Sequence, residues 1–251
     1  RRLTTHPVLG SPWLMVTTIC LYIYTVLKIG PRFMANRKPY KIDGLMQIYN
    51  VVQILLNSFI FYEFFCNTIL RSDFSLTCEA YNPEDMRPET MKLARPVILY
   101  AVSKYLDWFD TIFFLLRKKF NQISFLHVYH HSIMVVAIYI YSSKCFAAQG
   151  TCTGLVNSFI HIVMYLYYLV SASKPNIDLL PWKKLLTQMQ LLQFCLVAVQ
   201  FGLPLINNWC GLNELGLWIV FLQNLFMIAL FSNFYYKAYI RPTKKTETKA
   251  Q

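Results

Sequence analysis

Apolar runs of about twenty residues alternate with short polar connections from one end of this chain to the other. Each run is long enough, at 1.5 Å per helical residue, to cross a hydrocarbon core of about 30 Å. The pattern predicts seven transmembrane helices over residues 12–30, 45–70, 95–116, 123–143, 151–171, 183–206 and 213–236. Pro31, Pro175, Pro181 and Pro242 punctuate the connections, and Pro204 is expected to bend the end of the sixth span. Helices rather than strands follow from lipid itself, because only helices and closed barrels satisfy their backbone there. The basic residues ahead of the first run superficially suggest a signal peptide. That run is too long for a signal core and no small-residue cleavage pattern follows it, so it reads as a retained span.

Composition agrees. The 251 residues are 56% hydrophobic and 14% charged, with a mean hydropathy of +0.38, whereas soluble domains carry about 25% charged residues. No stretch between spans could build a soluble domain, so a single all-α polytopic membrane domain over 1–251 is expected. Charge then orients it. The connections at one end of the bundle, with Lys183, Lys184 and the tail from Lys237, hold fifteen Lys and Arg, and the opposite end holds seven. The positive-inside rule puts the basic end and the C-terminus in the cytosol, and the N-terminus on the other side. Cys78 and Cys210 fall in predicted non-cytosolic loops, where an oxidising lumen permits a bridge. Cys145 and Cys152 flank a third loop on that side, so three pairings stand, of which Cys78–Cys210 is favoured.

Ionisable groups inside a span cost about 2.5–3.5 kcal/mol each on insertion, so their positions carry information. Span three holds Lys104, Asp107, Asp110 and Thr111 at steps of three, three and one, which places them on one helical face. Span four holds His127, His130 and His131. Span five holds Asn157, Ser158 and His161, then Met164, Tyr165, Tyr167 and Tyr168, and span six holds Thr187, Gln190 and Gln193. From the predicted cytosolic ends, His131 lies about 12 Å deep, His161 about 15 Å, the glutamines about 10–15 Å and Asp110 about 9 Å. Four helices therefore bring polar faces to one depth. For the glutamines the plainer expectation is interhelical polar glue. Glu63 in span two has no evident partner and reads as glue or an interfacial side chain.

Three clustered histidines suit covalent or metal chemistry. Di-iron desaturases and hydroxylases need about eight histidines, and this chain has five. A single metal held by His127, His130, His131 and His161 is the remaining metal reading. Otherwise a neutral imidazole serves as nucleophile and general base near pH 7. A metal-dependent membrane hydroxylase or desaturase and a seven-span receptor or transporter are the alternatives.

The motifs HxxHH at His127, His130 and His131, HxxMYxYY at His161, Met164, Tyr165, Tyr167 and Tyr168, TxxQxxQ at Thr187, Gln190 and Gln193, and RKKxxQxxFLHVYHH from Arg117 resemble the very-long-chain fatty acid elongases, the ELO/ELOVL family. The resemblance covers essentially all seven spans. One departure is Asp107, where the family's KxxExxDT box carries Glu; charge is kept and reach is one methylene shorter. The resemblance implies an inverted barrel of spans two to seven around a tunnel closed on the lumenal side, with span one outside, in the endoplasmic reticulum membrane. It implies a 3-oxoacyl-CoA synthase that condenses long-chain acyl-CoA with malonyl-CoA, releasing CoA and carbon dioxide, without a metal or redox cofactor. His130 is the expected nucleophile, His131 or His161 the proton handler, and Asn157 a contact for the thioester oxygen. Lys104, Arg117, Lys119 and Lys184, with Arg241, are the expected contacts for CoA phosphates. Asp107, Asp110, Thr111, Tyr165, Tyr167 and the span-six residues are expected around substrate. Implied partners are membrane lipid and the other enzymes of the elongation cycle. A homo-oligomer is compatible, and no nucleic acid is expected.

Overall fold

A computed structural model describes the chain except for residues 1–9, 81, 83, 145–147, 175–176 and 242–251. Its elements are α1 (Pro12–Met34), α2 (Asp43–Thr68), α3 (Ala94–Leu106), α4 (Trp108–Leu116), α5 (Phe125–Lys144), α6 (Thr151–Ser173), α7 (Leu180–Ile206) and α8 (Glu214–Ile240). Two further helical turns cover Pro88–Met91 and Phe120–Gln122, and no strand occurs among the described residues. Local chemistry sets several ends. Ser11 accepts the Leu14 N–H at 3.2 Å with Pro12 opening α1, and Asn213 accepts the Gly216 N–H at 2.8 Å at the start of α8.

Helical segments occupy all seven expected intervals, and five of them (α1, α2, α6, α7 and α8) are long and apolar enough to cross a membrane. The chain is a multi-pass membrane protein. The third interval falls short because it is broken at Asp107 into helices of 13 and 9 residues. No proline or glycine causes that break. The Leu106 carbonyl at the break accepts the Tyr49 hydroxyl at 3.0 Å instead of continuing the helical ladder. In α5, three histidines dilute an otherwise apolar run.

Neighbour relations follow a circuit. α2 packs along α6 and against α3, α3 against α5, α6 against α7, and α7 along α8. Tyr129 of α5 donates to Gln223 of α8 at 2.6 Å and stands edge-on to Phe226. α1 lies against α4 and α5, where Tyr22, Val26 and Leu115 form a small buried core. The approach is close: a Cβ on Gly30 of α1 would sit 2.6 Å from a Leu115 methyl. α1 also contains a π-helical turn, Thr25–Ile29.

At one end of the bundle the 69–93 connection folds back over the helices. Its Phe74 and Leu93 join Ile60, Phe64, Val97, Ile138 and Leu155 in the main apolar core. Gln149 pins this cap: its amide donates to the carbonyls of Thr77 (2.8 Å) and Gln200 (3.0 Å), and its Oε1 accepts the Glu79 N–H at 2.9 Å. A Cys78–Cys210 disulfide, Cα–Cα 5.8 Å, ties the cap to the α7–α8 turn, where Gly211 takes a φ of +67°. Cys152 is a free buried thiol, and Cys145 lies outside the described residues. Arg71 hydrogen-bonds Asp73 and holds that carboxyl down to about 2, and Arg87 draws Asp85 below the usual carboxylate range. Burial pushes Glu79 the other way, upward.

Glu63, which the sequence left without a partner, has one. Arg95, at the first turn of α3, grips it through both carboxylate oxygens at 2.5 and 3.1 Å.

Candidate active site

The polar residues of α3 and α4 meet those of α6 in one buried cluster. The i, i+3 spacing in α3 puts the Lys104 ammonium 2.9 Å from Asp107 Oδ2. From α6, Asn157 Oδ1 accepts from Lys104 at 3.0 Å and from the Tyr100 hydroxyl at 2.8 Å. The two ring nitrogens of His161 lie 3.3 and 3.4 Å from Lys104 Nζ, with Nδ1 also 3.6 Å from Asp107. Lys104, Asp107, Asn157 and His161 are all buried. A buried ammonium and a buried carboxylate of this kind persist only as a hydrogen-bonded pair.

A second layer holds the carboxylates. Tyr165 of α6, fully buried, places its hydroxyl 2.8 Å from Asp107 Oδ1 and 2.9 Å from Asp110 Oδ2. Gln53 of α2 donates to Asp107 Oδ1 at 2.9 Å and lies against the hydroxyls of Tyr49 and Tyr165. The break after Leu106 turns Asp107 toward these donors, and Tyr49 fills the backbone position that the break vacates. Every oxygen of Asp107 therefore has a donor within 3 Å.

The histidine helix α5 lies alongside. His127 Nε2 is 2.8 Å from the Thr111 hydroxyl, which is in turn 2.8 Å from the Tyr22 hydroxyl of α1. The His127 and His131 rings are 4.3 Å apart, and those of His130 and His131 are 5.5 Å apart and edge-on. Trp108 donates to the His131 carbonyl at 3.1 Å while stacking on Tyr22. The ring nitrogens of His130 and His131 have no hydrogen-bond partner among the described residues, and both rings are only half-buried. Two imidazoles with available nitrogens thus stand beside a hydrogen-bonded cluster built on the Lys104–Asp107 ion pair. Among the described residues, no three His, Cys, Asp or Glu side chains converge in a metal-ligating arrangement.

Other expected site residues lie elsewhere. Thr187 is buried but hydrogen-bonds the Lys183 carbonyl and sits 3.3 Å from the Tyr239 hydroxyl. Gln190 is half-buried and makes no hydrogen bond, and Gln193 is buried with its Oε1 unpaired. None of the three touches the histidine cluster by hydrogen bond or ring contact. Tyr167 packs on Tyr168 and Trp182. Lys104 is wholly buried in the polar cluster, apart from the exposed basic residues. Arg117 is partly engaged, 3.4 Å from Asp43 and 3.5 Å from Met46 Sδ. Lys119, Lys184 and Arg241 are exposed, without side-chain partners among the described residues.

Sequence spacing overlooked Tyr49 and Gln53, although Tyr49, Asn50, Gln53 and Asn57 follow the three-and-four stepping that marked the other helices. Tyr100 and Trp108 sat in plain view beside Lys104 and Asp107. Nothing in the local sequence distinguishes Tyr22 from the tyrosines around it.

Fold and site together define a polytopic helical membrane protein with a histidine-rich polar centre buried among its helices. The sequence model of the ELO family, described as the GNS1/SUR4 family, matches residues 7–247. The chain is 35% identical over 242 residues to human very long chain fatty acid elongase 1, covering 96% of this chain and 86% of that one. It is 35% identical to very long chain fatty acid elongase F of Drosophila melanogaster, covering 96% and 94%, and 36% identical to human elongase 4, covering 97% and 77%. The chain belongs to the ELO family.

Proposed function

We propose that this protein is the condensing enzyme of fatty acid elongation, a 3-oxoacyl-CoA synthase acting on long-chain acyl-CoA and malonyl-CoA. The observation that carries the reading is the pair His130 and His131: two imidazoles with unengaged nitrogens, next to a buried cluster that ties Lys104, Asp107, Asn157 and His161 together. Family membership supplies the substrate class.

In this mechanism a His130 ring nitrogen attacks the thioester carbon and the C–S bond breaks. The N–H proton of the acylated ring passes by way of His131 to the departing CoA thiolate, leaving a neutral acyl-imidazole. The oxygen of Asn157 is occupied by Tyr100 and Lys104, so its amide N–H groups are the donors left for the developing oxyanion. Malonyl-CoA then loses carbon dioxide, and the electron pair of that C–C bond forms an enolate. The enolate carbon attacks the acyl carbon, the C–N bond breaks, and the returning imidazole takes up one proton, the proton consumed overall. No metal or redox cofactor enters this scheme. Lys119, Lys184 and Arg241 meet the CoA phosphates at the rim, and Gln193 offers its spare acceptor to the amide N–H of the pantetheine arm.

The architecture follows the same reading: seven spans, with α2, α3–α4, α5, α8, α7 and α6 closing the barrel and α1 outside it. The circuit of neighbours supports this arrangement. So does the cap at the disulfide end, which would close a tunnel toward the lumen of the endoplasmic reticulum, with the N-terminus there and the C-terminus in the cytosol. Mixing the enzyme with acyl-CoA alone and measuring intact mass should show a single acyl adduct that maps to His130 and vanishes in His130→Gln. Release of CoA only when malonyl-CoA is also present, with no adduct, overturns the two-step scheme.

A further inference from the structure

The helix that stands outside the circuit nevertheless reaches the reactive centre. Tyr22 of α1, Thr111 of α4 and His127 of α5 form a chain of two 2.8 Å hydrogen bonds through three helices. Tyr22 and Thr111 are buried, and Tyr22 is braced by stacking on Trp108 with ring centroids 4.5 Å apart. The π-helical turn that follows, Thr25–Ile29, is a feature that often accompanies functional sites.

We infer that Tyr22 is a positioning residue that, through Thr111, fixes His127 as the Nδ1–H tautomer. The argument is one of proton counting. A hydroxyl donates once, so the chain runs in one of two directions, or Tyr22 and His127 both donate to Thr111 and strand the proton of that fully buried hydroxyl. If it runs from His127 Nε2–H through Thr111 to Tyr22, the Tyr22 proton has no other acceptor among the described residues and is left unpaired in a buried position, which is unfavourable. If it runs from Tyr22 through Thr111 to the Nε2 lone pair, both buried hydroxyl protons have acceptors, and the one left over is the Nδ1–H of the His127 ring, which is only half-buried. The second direction engages Nε2 and leaves the ring proton on Nδ1. His127 is thereby removed as a nucleophile at Nε2 and fixed beside His131, 4.3 Å away between ring centroids. The peripheral helix so divides labour within HxxHH: His127 orients, and His130 and His131 react. The catalytic consequence rests on the condensing-enzyme reading; the tautomer does not.

The test uses the full chain in micelles with 15N-labelled histidine, and two-bond proton–nitrogen correlations to read each tautomer. His127→Gln identifies the His127 signal. The expected result is an Nδ1–H pattern in the wild type. Tyr22→Phe keeps the ring stack, frees Thr111 to donate or accept, and should convert His127 to a tautomer mixture. It should also lower kcat roughly three- to tenfold, the weight of one hydrogen bond, with KM unchanged. Thr111→Ser keeps the hydroxyl and should retain the Nδ1–H tautomer, while the near-isosteric Thr111→Val should lose it. An Nε2–H pattern in the wild type overturns the inference, as does a tautomer unmoved by both Tyr22→Phe and Thr111→Val. If the tautomer moves as expected but the wild type condenses no acyl-CoA, the function fails and the inference stands.

Discussion

Removing the charge from one member of the Lys104–Asp107 pair should damage the protein more than removing it from both. The pair is 2.9 Å apart and both side chains are almost wholly buried. Lys104→Met leaves the Asp107 carboxylate without its counter-charge. Asp107→Asn takes away the carboxylate that holds the ammonium at 2.9 Å, although the amide still accepts from Gln53 and Tyr165. An uncompensated buried charge costs about 3–5 kcal/mol. For a chain of this size each kcal/mol moves Tm by about 2–4 °C, so either single change should lower Tm by about 6–20 °C. Lys104→Met/Asp107→Asn removes both partners of the pair together and keeps the hydrogen bonds of Gln53, Tyr165 and Tyr100, so it should melt above both single variants. Tryptophan fluorescence melts in micelles, at one scan rate, measure all four proteins and close the double-mutant cycle. A double variant whose loss equals the sum of the two single losses refutes the coupling, and with it the ion-paired cluster on which the site is built.

Three further outcomes are expected. The Cys78–Cys210 bridge closes a loop with a sequence separation of 132, a constraint of about 5 kcal/mol in the chain-entropy account; reductant should lower the Tm of the wild type and leave an already lower Tm of Cys78→Ser unmoved. Lys119→Glu and Lys184→Glu should each raise KM for acyl-CoA about fivefold at low ionic strength and less at high salt, whereas Arg117→Gln, which loses the contact to Asp43, should chiefly affect Tm. The carboxyls of Asp73 and Asp85 are lowered in the folded state, so their stabilisation of the 69–93 cap is present above their ordinary value near 3.8 and is lost as pH falls toward 2. Peptic cleavage within that connection should rise across this window, and Asp73→Asn/Asp85→Asn should be cleaved readily at pH 4 already.

Hydropathy alone located all seven helical intervals, because bilayer thickness imposes a length that few other folds share. It missed the interruption at Asp107, since nothing local breaks that helix; the cause is a hydroxyl from Tyr49, 57 residues earlier. The members of the polar cluster were legible wherever several stood on one helix face. Tyr22 was not, because its partner Thr111 is 89 residues away and Tyr24 and several threonines on its own helix look no different from it. Function-bearing contacts of that kind exist only after packing. The same holds for Lys104, for which the family resemblance raised a phosphate contact and which lies buried as the counter-ion of Asp107. Glu63 differs again: its partner Arg95 stands at the very edge of the third predicted interval, 32 residues away on another helix, so no spacing within one helix pairs them.

The position of Lys104 three residues before its counter-ion has a consequence for biogenesis. Helices enter the bilayer in order of synthesis, and each exposed charge adds to the cost of entry. Because Asp107 lies on the same segment, Lys104 can enter the membrane with its counter-charge beside it, without waiting for Asn157 or His161 to be translated. Glu63 has no such help within its own helix: its counter-ion arrives 32 residues later, on the segment that follows. The ribosome thus delivers the reactive centre in an order that keeps its most costly pair together from the start, and leaves the second span to complete its charge balance only when the third comes to rest beside it.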